Sequence, residues 1–358
     1  MAEDCLKLTT YFDELARGRR RLLADELLDF YALRDVLASI VLRGVEGFGS
    51  RHLLHTERLL TLSHDLPLVT VAVDSRERMA ALLPEVMDLC GTGLVTLERA
   101  RMITDLSADI ALDIGPYEAI KLTLLVGRSE RTNGRLAYLA AVDLMHRHGV
   151  DGVTAFLGVD GTAHRVRRRA GFFDRNADVP VTVVAISATD TIGAALPELR
   201  ALLQRPLFWI EHVRVCKVAG AAVAKPLELP ESDPSGMALW HKLTIHAPEY
   251  ARHDGQPVYT QLIRRLREAG AAGATAVRGF WGYHGDQRPH GDALFALRRR
   301  VPVVVSVIDT PERSRRWFEI VDEVTTESGL VTSEFVPAAR PADSSRDASA
   351  LRHAIDLG

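Results

Sequence analysis

LKLTTYF (Leu6–Phe12), IKLTLLV (Ile120–Val126) and HKLTIHA (His241–Ala247) are one segment written three times. A Gly-x-x-Gly follows each lysine after 37 residues: Gly44 and Gly47 after Lys7, Gly158 and Gly161 after Lys121, Gly279 and Gly282 after Lys242. A third landmark keeps step. The turns DLP, DVP and RVP place Pro67, Pro180 and Pro302 at 60, 59 and 60 residues after the same lysines. Agreement of three landmarks to within one residue establishes an internal triplication, and a repeat of this kind decides the architecture.

Overlaying the copies predicts one order of elements three times. The KLT segment alternates apolar and polar residues as a half-buried strand does. A helix follows, with apolar positions at Leu27, Leu28 and Tyr31, then Val142 and Met145, then Leu262, Ile263 and Leu266, each set on one face. Gly149 and Gly270 stand where that helix stops, and the first copy has Asp35 there. A second strand runs into the Gly-x-x-Gly and a long loop. A third strand follows the proline (LVTVAVD, VTVVAIS, VVVSVID), and a second helix and a last strand complete the unit. The class is α+β, a ferredoxin-like βαββαβ motif repeated three times. The repeats span 1–103, 119–218 and 238–337, with linkers at 104–118 and 219–237 and a polar tail, 338–358, expected to be disordered.

The composition, 47% hydrophobic and 25% charged, is that of a globular chain able to bury cores. A net charge of −3 excludes the global basic field of a nucleic-acid binder. No apolar run reaches the roughly 20 residues that span a bilayer. Cys5, Cys90 and Cys216 are too few and too scattered for a disulfide framework or a zinc finger. With no secretory leader in MAEDCLKLTT, the expected compartment is the cytoplasm.

The first copy resembles the DUF190 family of the PII-like superfamily, to which the PII nitrogen regulators and the CutA proteins also belong. The residues that carry this are LKLTTYF, LRGVEGFG (Leu42–Gly49), His55-Thr56, DLP and the following strand with Asp74. The third copy is similar through REAGAAGATAVRGFWGYHGD (Arg267–Asp286), His290-Gly291-Asp292 and VPVVVSVIDTPER; the second keeps IKLT, FLGVDG and DVPVTVVAIS. The resemblance implies trimers with ligands in clefts between subunits. Three copies on one chain can close that arrangement internally as a monomeric pseudo-trimer; three independent domains are the alternative.

Two groups of residues are candidates for chemistry. Glycines after a strand let main-chain N–H groups approach an anion, although two such glycines serve a turn or bulge more often. With the resemblance, Arg43, Gly44, Gly47, Phe48 and Gly49 in copy one, and Arg278, Gly279, Gly282 and His284 in copy three, become a candidate ligand-binding loop base. The last strand adds cations, Arg99 and Arg101 in copy one and Arg214 and Lys217 in copy two, where copy three offers Glu334. Leu157 replaces the arginine in copy two, so its cleft should be weaker and the sites fewer than three. The second group is a metal alternative: His52 and His55 in the first long loop (with His64 near its end), and His284, Asp286, His290 and Asp292 in the third. The basic second loop, with Phe172 and Phe173 beside arginines, could dock on a partner. The three KLT lysines read as solvent-facing or carboxylate-paired, and no nucleophile–base motif, Walker A or Rossmann fingerprint is present.

The expectation is therefore a non-catalytic regulatory protein. It would bind a small anionic ligand, adenine nucleotide being the first choice, and use its long loops to contact a partner. The resemblance makes a membrane channel or transporter the expected partner class. A CutA-like divalent-metal binder and an enzyme on a ferredoxin-like scaffold are the alternatives.

Overall fold

The computed structural model describes residues 2–49, 52–56, 65–91, 93–103, 118–169, 179–228, 238–285, 287–291, 301–340 and 351. The fold is α+β, with three tandem copies of one unit. In the first copy the order is strand Ala2–Asp13, helix Leu23–Leu33, strands Ala38–Phe48 and Pro67–Ser75, helix Arg76–Cys90 and strand Leu94–Ile103. The second copy has Glu118–Gly127, helix Ala137–Arg147, Gly152–Leu157 continued by Asp160–Ala163, Pro180–Ser187, helix Thr189–Leu202 and Leu207–Val218. The third has Leu239–Pro248, helix Val258–Glu268, Ala274–Arg278 continued by Trp281–His284, Pro302–Asp309, helix Pro311–Val324 and Leu330–Ala339. In every copy the first strand lies between the third and the last, antiparallel to both, and the second pairs with the free side of the third.

The helices cover one face of each sheet because their apolar positions share a side. Leu27, Leu28 and Tyr31, then Val142 and Met145, then Leu262, Ile263 and Leu266 are all buried, each set in its own repeat's core. Behind these first helices the chain turns through positive φ at Gly149, Gly270 and Asp35, whose φ is 51°; aspartate tolerates this left-handed conformation better than most residues. Leu266→Ala should cost about 2–5 kcal/mol of unfolding free energy in a denaturant titration. A cost under about half a kilocalorie would contradict this packing.

Each pair of repeats is joined twice, and the sheet closes on itself. The second strand of repeat one pairs with Asp160–Ala163 of repeat two and with Ala274–Val277 of repeat three. Trp281–His284 of repeat three pairs with Gly152–Ala155 of repeat two. The last strands also meet pairwise around the centre.

These joints account for the glycines and the prolines. A Cβ on Gly47 would lie 2.7 Å from the Ala274 carbonyl oxygen, and one on Gly44 would lie 2.6 Å from Cγ of Pro67. On Gly158 it would meet Ile40 Cγ1 at 2.8 Å, and on Gly279 Thr154 Cγ2 at 2.6 Å. Gly161 and Gly282 likewise abut backbone carbonyls of the neighbouring repeat, and Pro180 and Pro302 pack on them. The Gly-x-x-Gly is thus where one repeat's backbone crosses another's, with no room for a side chain. It is not an anion-cradling loop.

Two other recurrent residues are structural. Asp74 accepts the Leu37 amide at 2.8 Å, and Asp309 accepts the Ala272 amide at 2.8 Å and the Trp317 indole N–H at 3.0 Å, so each ties the third strand to the start of the second. Repeat two does this with Ser187, whose hydroxyl donates to Asp151 at 2.6 Å.

The tail expectation needs correction at its start. Ala338 and Ala339 continue the last strand, pairing with Thr96 and Val95 of repeat one, and Leu351 is buried in the first repeat's core. Apolar residues with a neighbouring strand edge in reach extend the sheet beyond the predicted boundary. The remainder, 341–350 and 352–358, lies outside the described residues.

Candidate functional site

The three lysines meet at the centre of the molecule. Within each repeat the lysine stands opposite a glutamate of the last strand: Lys7 with Glu98, Lys121 with Glu211, Lys242 with Glu334. Each lysine also reaches a glutamate of another repeat. Lys7 bridges Glu98 and, at 2.5 Å, Glu211; Lys121 bridges Glu211 at 3.0 Å and Glu334 at 3.1 Å; Lys242 bridges Glu334 and Glu98, both at 3.2 Å. The result is a closed, alternating ring of three cations and three anions, all buried. The solvent-facing reading of the lysines was wrong, and the carboxylate-paired one holds.

Burial by itself would pull the lysine ammoniums down, but the flanking glutamates outweigh it and push Lys7, Lys121 and Lys242 up. Burial would raise the Glu98 and Glu334 carboxyls, yet the lysines hold both below their ordinary range. The three carboxylates are close enough to hold a metal ion, but the lysines already occupy them.

The second feature is a cleft at the joint of repeats one and three, about 80 Å³ in volume. Repeat one supplies Tyr11, Asp13 and Gly93 on one side, with Phe48, Gly49 and His55 above; repeat three supplies Gly273, Thr275 and Arg340. Arg340 directly follows the extended last strand. Its guanidinium donates to the Ala272 carbonyl at 2.7 Å and lies 5.6 Å over the Trp240 ring, which fixes the cation at the rim.

The corresponding joints carry other side chains. Between repeats one and two, Leu125 and Leu207 stand where repeat one has Tyr11 and Leu94, and with Trp209 they pack on Ile40, Val73 and Met102. Between repeats two and three, His284 and Leu330 crowd the space over Gly152.

The sequence candidates separate accordingly. Phe48 and Gly49 line the cleft. Arg43 does not, being paired with Glu14 at 2.7 Å, and Arg278 is paired with Glu249 at 3.0 Å. Repeat two lacks both partners, with Leu157 and Arg128 at those positions. Arg101 lies on the outer surface, 3.7 Å from Asp4. Arg214 pairs with Glu118 and Lys217 with Asp322, so the cations of the last strand build no common site. Nor does copy three stand apart through Glu334, which has its counterparts in Glu98 and Glu211.

Among the described residues, no group able to share an ion holds more than one of the predicted histidines. His52 stacks on Phe48, with ring centroids 5.8 Å apart. His284 has both ring nitrogens buried without a hydrogen-bond partner among the described residues, 6.1 Å from the His246 ring. Burial, with a smaller contribution from His290, brings its pKa down to about 4. His290 Nδ1 lies 2.6 Å from the Arg288 carbonyl oxygen. His64, Asp286, Asp292, Phe172 and Phe173 lie outside the described residues. His55 does sit between carboxylates, Asp13 at 3.7 Å and Asp65 at 4.0 Å, close enough for the three to share an ion. Each ring nitrogen faces a different carboxylate.

Sequence reasoning missed Glu98, Glu211 and Arg340, and took Glu334 only as a departure of copy three. The glutamates had a signal: they follow the lysines by 91, 90 and 92 residues. Arg340 had none, since it was assigned to the tail.

The model of the DUF190 family, described as uncharacterized ACR, matches residues 5–102, 119–215 and 240–338. The chain belongs to the DUF190 family. A UPF0166 protein of Aquifex aeolicus (strain VF5) is 36% identical over 94 residues, which are 26% of this chain and 88% of that protein. A UPF0166 protein of Methanocaldococcus jannaschii is 28% identical over 89 residues, covering 25% of this chain and 82% of the relative. Those relatives are about one repeat long, so this DUF190 chain carries in tandem what they carry singly. Among solved structures, aspartate kinase from Synechocystis aligns at a TM-score of 0.21 and 11% identity over 99% of this chain and 55% of its own. A likeness at that level carries no argument. Among the described residues no helix is long and apolar enough to cross a membrane.

Proposed function

We propose that this DUF190 chain is a PII-like, non-catalytic regulatory protein of the cytoplasm, a single-chain pseudo-trimer of ferredoxin-like units. It binds one small anionic ligand in the cleft between repeats one and three. The single observation that carries this is the contrast among the joints. One is a cleft rimmed by a positioned arginine, while the matching positions of its counterparts carry other side chains, Leu125 for Tyr11 and His284 for Gly49.

Arg340 would supply charge-assisted donors to the anion, and Gly49 and Gly273 would let it lie close to the main chain. The volume limits what fits. About 80 Å³ is less than the roughly 150 Å³ that holds benzene. The walls would therefore enclose a phosphate or similar group, and an adenine nucleotide would extend outward past Phe48. The long loops would take the partner-contacting role, with a channel or transporter as the partner class.

Calorimetry with ADP, AMP and inorganic phosphate tests this. One site per chain is expected, weakened about tenfold by Arg340→Ala, the loss of one charge-assisted hydrogen bond. Arg43→Ala with Arg278→Ala should leave affinity within about twofold, because neither lines the cleft. Three equal sites, or affinity indifferent to Arg340→Ala, would remove the cleft from the function.

A further inference from the structure

Along the pseudo-three-fold axis the first strands present side chains in layers. The lysine ring forms one layer, Thr9, Thr123 and Thr244 the next, and Tyr11 and His246 stand beyond them. All of these line a central chamber of about 140 Å³, distinct from the cleft in its floor and most of its walls. The walls are chiefly apolar: Ile40, Leu42, Val71, Phe156, Val184 and Val304. A volume near 150 Å³ holds a molecule of benzene's size.

The floor of this chamber is built from the lysine ring. Lys7, Lys121 and Lys242 all line it, but of the ring's carboxylates only Glu211 does. An ammonium has three donors; two carboxylate oxygens engage Lys7 and two engage Lys242, so each of these retains a donor beyond the ring, whereas three surround Lys121.

The second observation is independent of the ring. Trp209 Nε1, Thr182 Oγ1 and His246 Nε2 are buried with no hydrogen-bond partner among the described residues, and all three residues line the chamber. They are 2%, 5% and 4% exposed, so solvent does not serve them. Buried polar groups of this kind carry a cost unless something pairs with them. Trp209 stands opposite Thr123 in register while Glu211 stands opposite Lys121, so the indole is one layer above the lysine floor. An indole N–H can only donate. An occupant at that height would lie in the layer of the indole and above the lysines, with its remainder among valine, isoleucine and phenylalanine side chains.

We infer that the axial chamber is a binding site for a small monocarboxylate with an apolar body, of butyrate to benzoate size. The carboxylate sits between the lysine floor and Trp209, and the hydrocarbon part fills the apolar walls. A neutral molecule of the same shape offers the lysine donors no charged acceptor, and a bare halide leaves the walls unfilled.

Titration calorimetry with sodium butyrate and sodium benzoate, against butanamide and benzyl alcohol at constant chloride, tests this on the full chain. One carboxylate per chain is expected, with the neutral counterparts at least about tenfold weaker. Trp209→Phe, which keeps the aromatic plane and removes the donor, should weaken the carboxylates about tenfold. Val304→Phe should fill the chamber and abolish binding, while Arg340→Ala in the separate cleft should leave it unchanged. Equal binding of the neutral compounds, full affinity in Val304→Phe, or the same thermal stabilisation by sodium chloride alone would each overturn the proposal. Should Val304→Phe fail to fold, nuclear Overhauser contacts from benzoate protons to the Val71 and Val304 methyls of the unaltered chain decide. Their presence supports the site and their absence overturns it.

Discussion

Lys7→Met should lower the unfolding free energy by about 3–5 kcal/mol at pH 7, because it leaves a buried ring with three carboxylates and two ammoniums. Lys7 joins Glu98 of its own repeat to Glu211 of the next, so one deletion strips a partner from both. The intact ring contributes far less net stability than this loss, since desolvating six charges offsets most of their attraction. Removing charges in balance should therefore cost less than the sum of the single changes. Lys7→Met with Glu98→Gln should recover part of the deficit, and a double-mutant cycle by denaturant titration measures the coupling.

The pH dependence follows from the signs. Glu98 and Glu334 are held below their unfolded values near 4.5, so their contribution is present above that pH and is lost as pH falls through the depressed folded values. The lysines are raised above 10.5, so theirs is present below that pH and is lost as pH rises through the folded values. The difference between the natural chain and Lys7→Met should be flat between these limits and shrink beyond them. A difference below about 1 kcal/mol at pH 7 would mean that water reaches the ring.

Gly47→Val should destabilise the chain by about 3 kcal/mol or more, at the upper end of what overpacking costs. The new Cβ would stand 2.7 Å from the Ala274 carbonyl oxygen and 3.0 Å from Pro67, and neither a strand carbonyl nor a proline ring can swing aside. The strands must separate instead, which breaks the pairing of Ala274–Val277 with repeat one. Hydrogen exchange locates the effect: faster exchange should be concentrated at residues 44–48 and 274–277 while the helix cores stay protected. Gly49→Ala is the control, because nothing stands within 4 Å of a Cβ there, and it should change stability by no more than about half a kilocalorie. Equal exchange and equal stability in the two variants would show that the joint is not packed as described.

The triplication, the order of elements and the buried helix faces were determined by the sequence alone. They rest on local rules: strand alternation at Lys7-Leu8-Thr9, helical spacing at Leu262, Ile263 and Leu266, and positive φ behind the helix at Gly149 and Gly270. Such signals act over a few residues and repeat with the copies. What the landmarks are for was decided only in three dimensions. Gly47 meets a carbonyl 227 residues away, and Lys7 meets a glutamate 204 residues away, because the strands of three repeats join in one sheet. Arg43 and Arg278 look like ligand residues until Glu14 and Glu249 are seen to pair with them. The joints differ at positions such as Tyr11 against Leu125, a substitution that alters no local propensity for a strand. Only the packing of one repeat's strand end against its neighbour decides what such a residue lines.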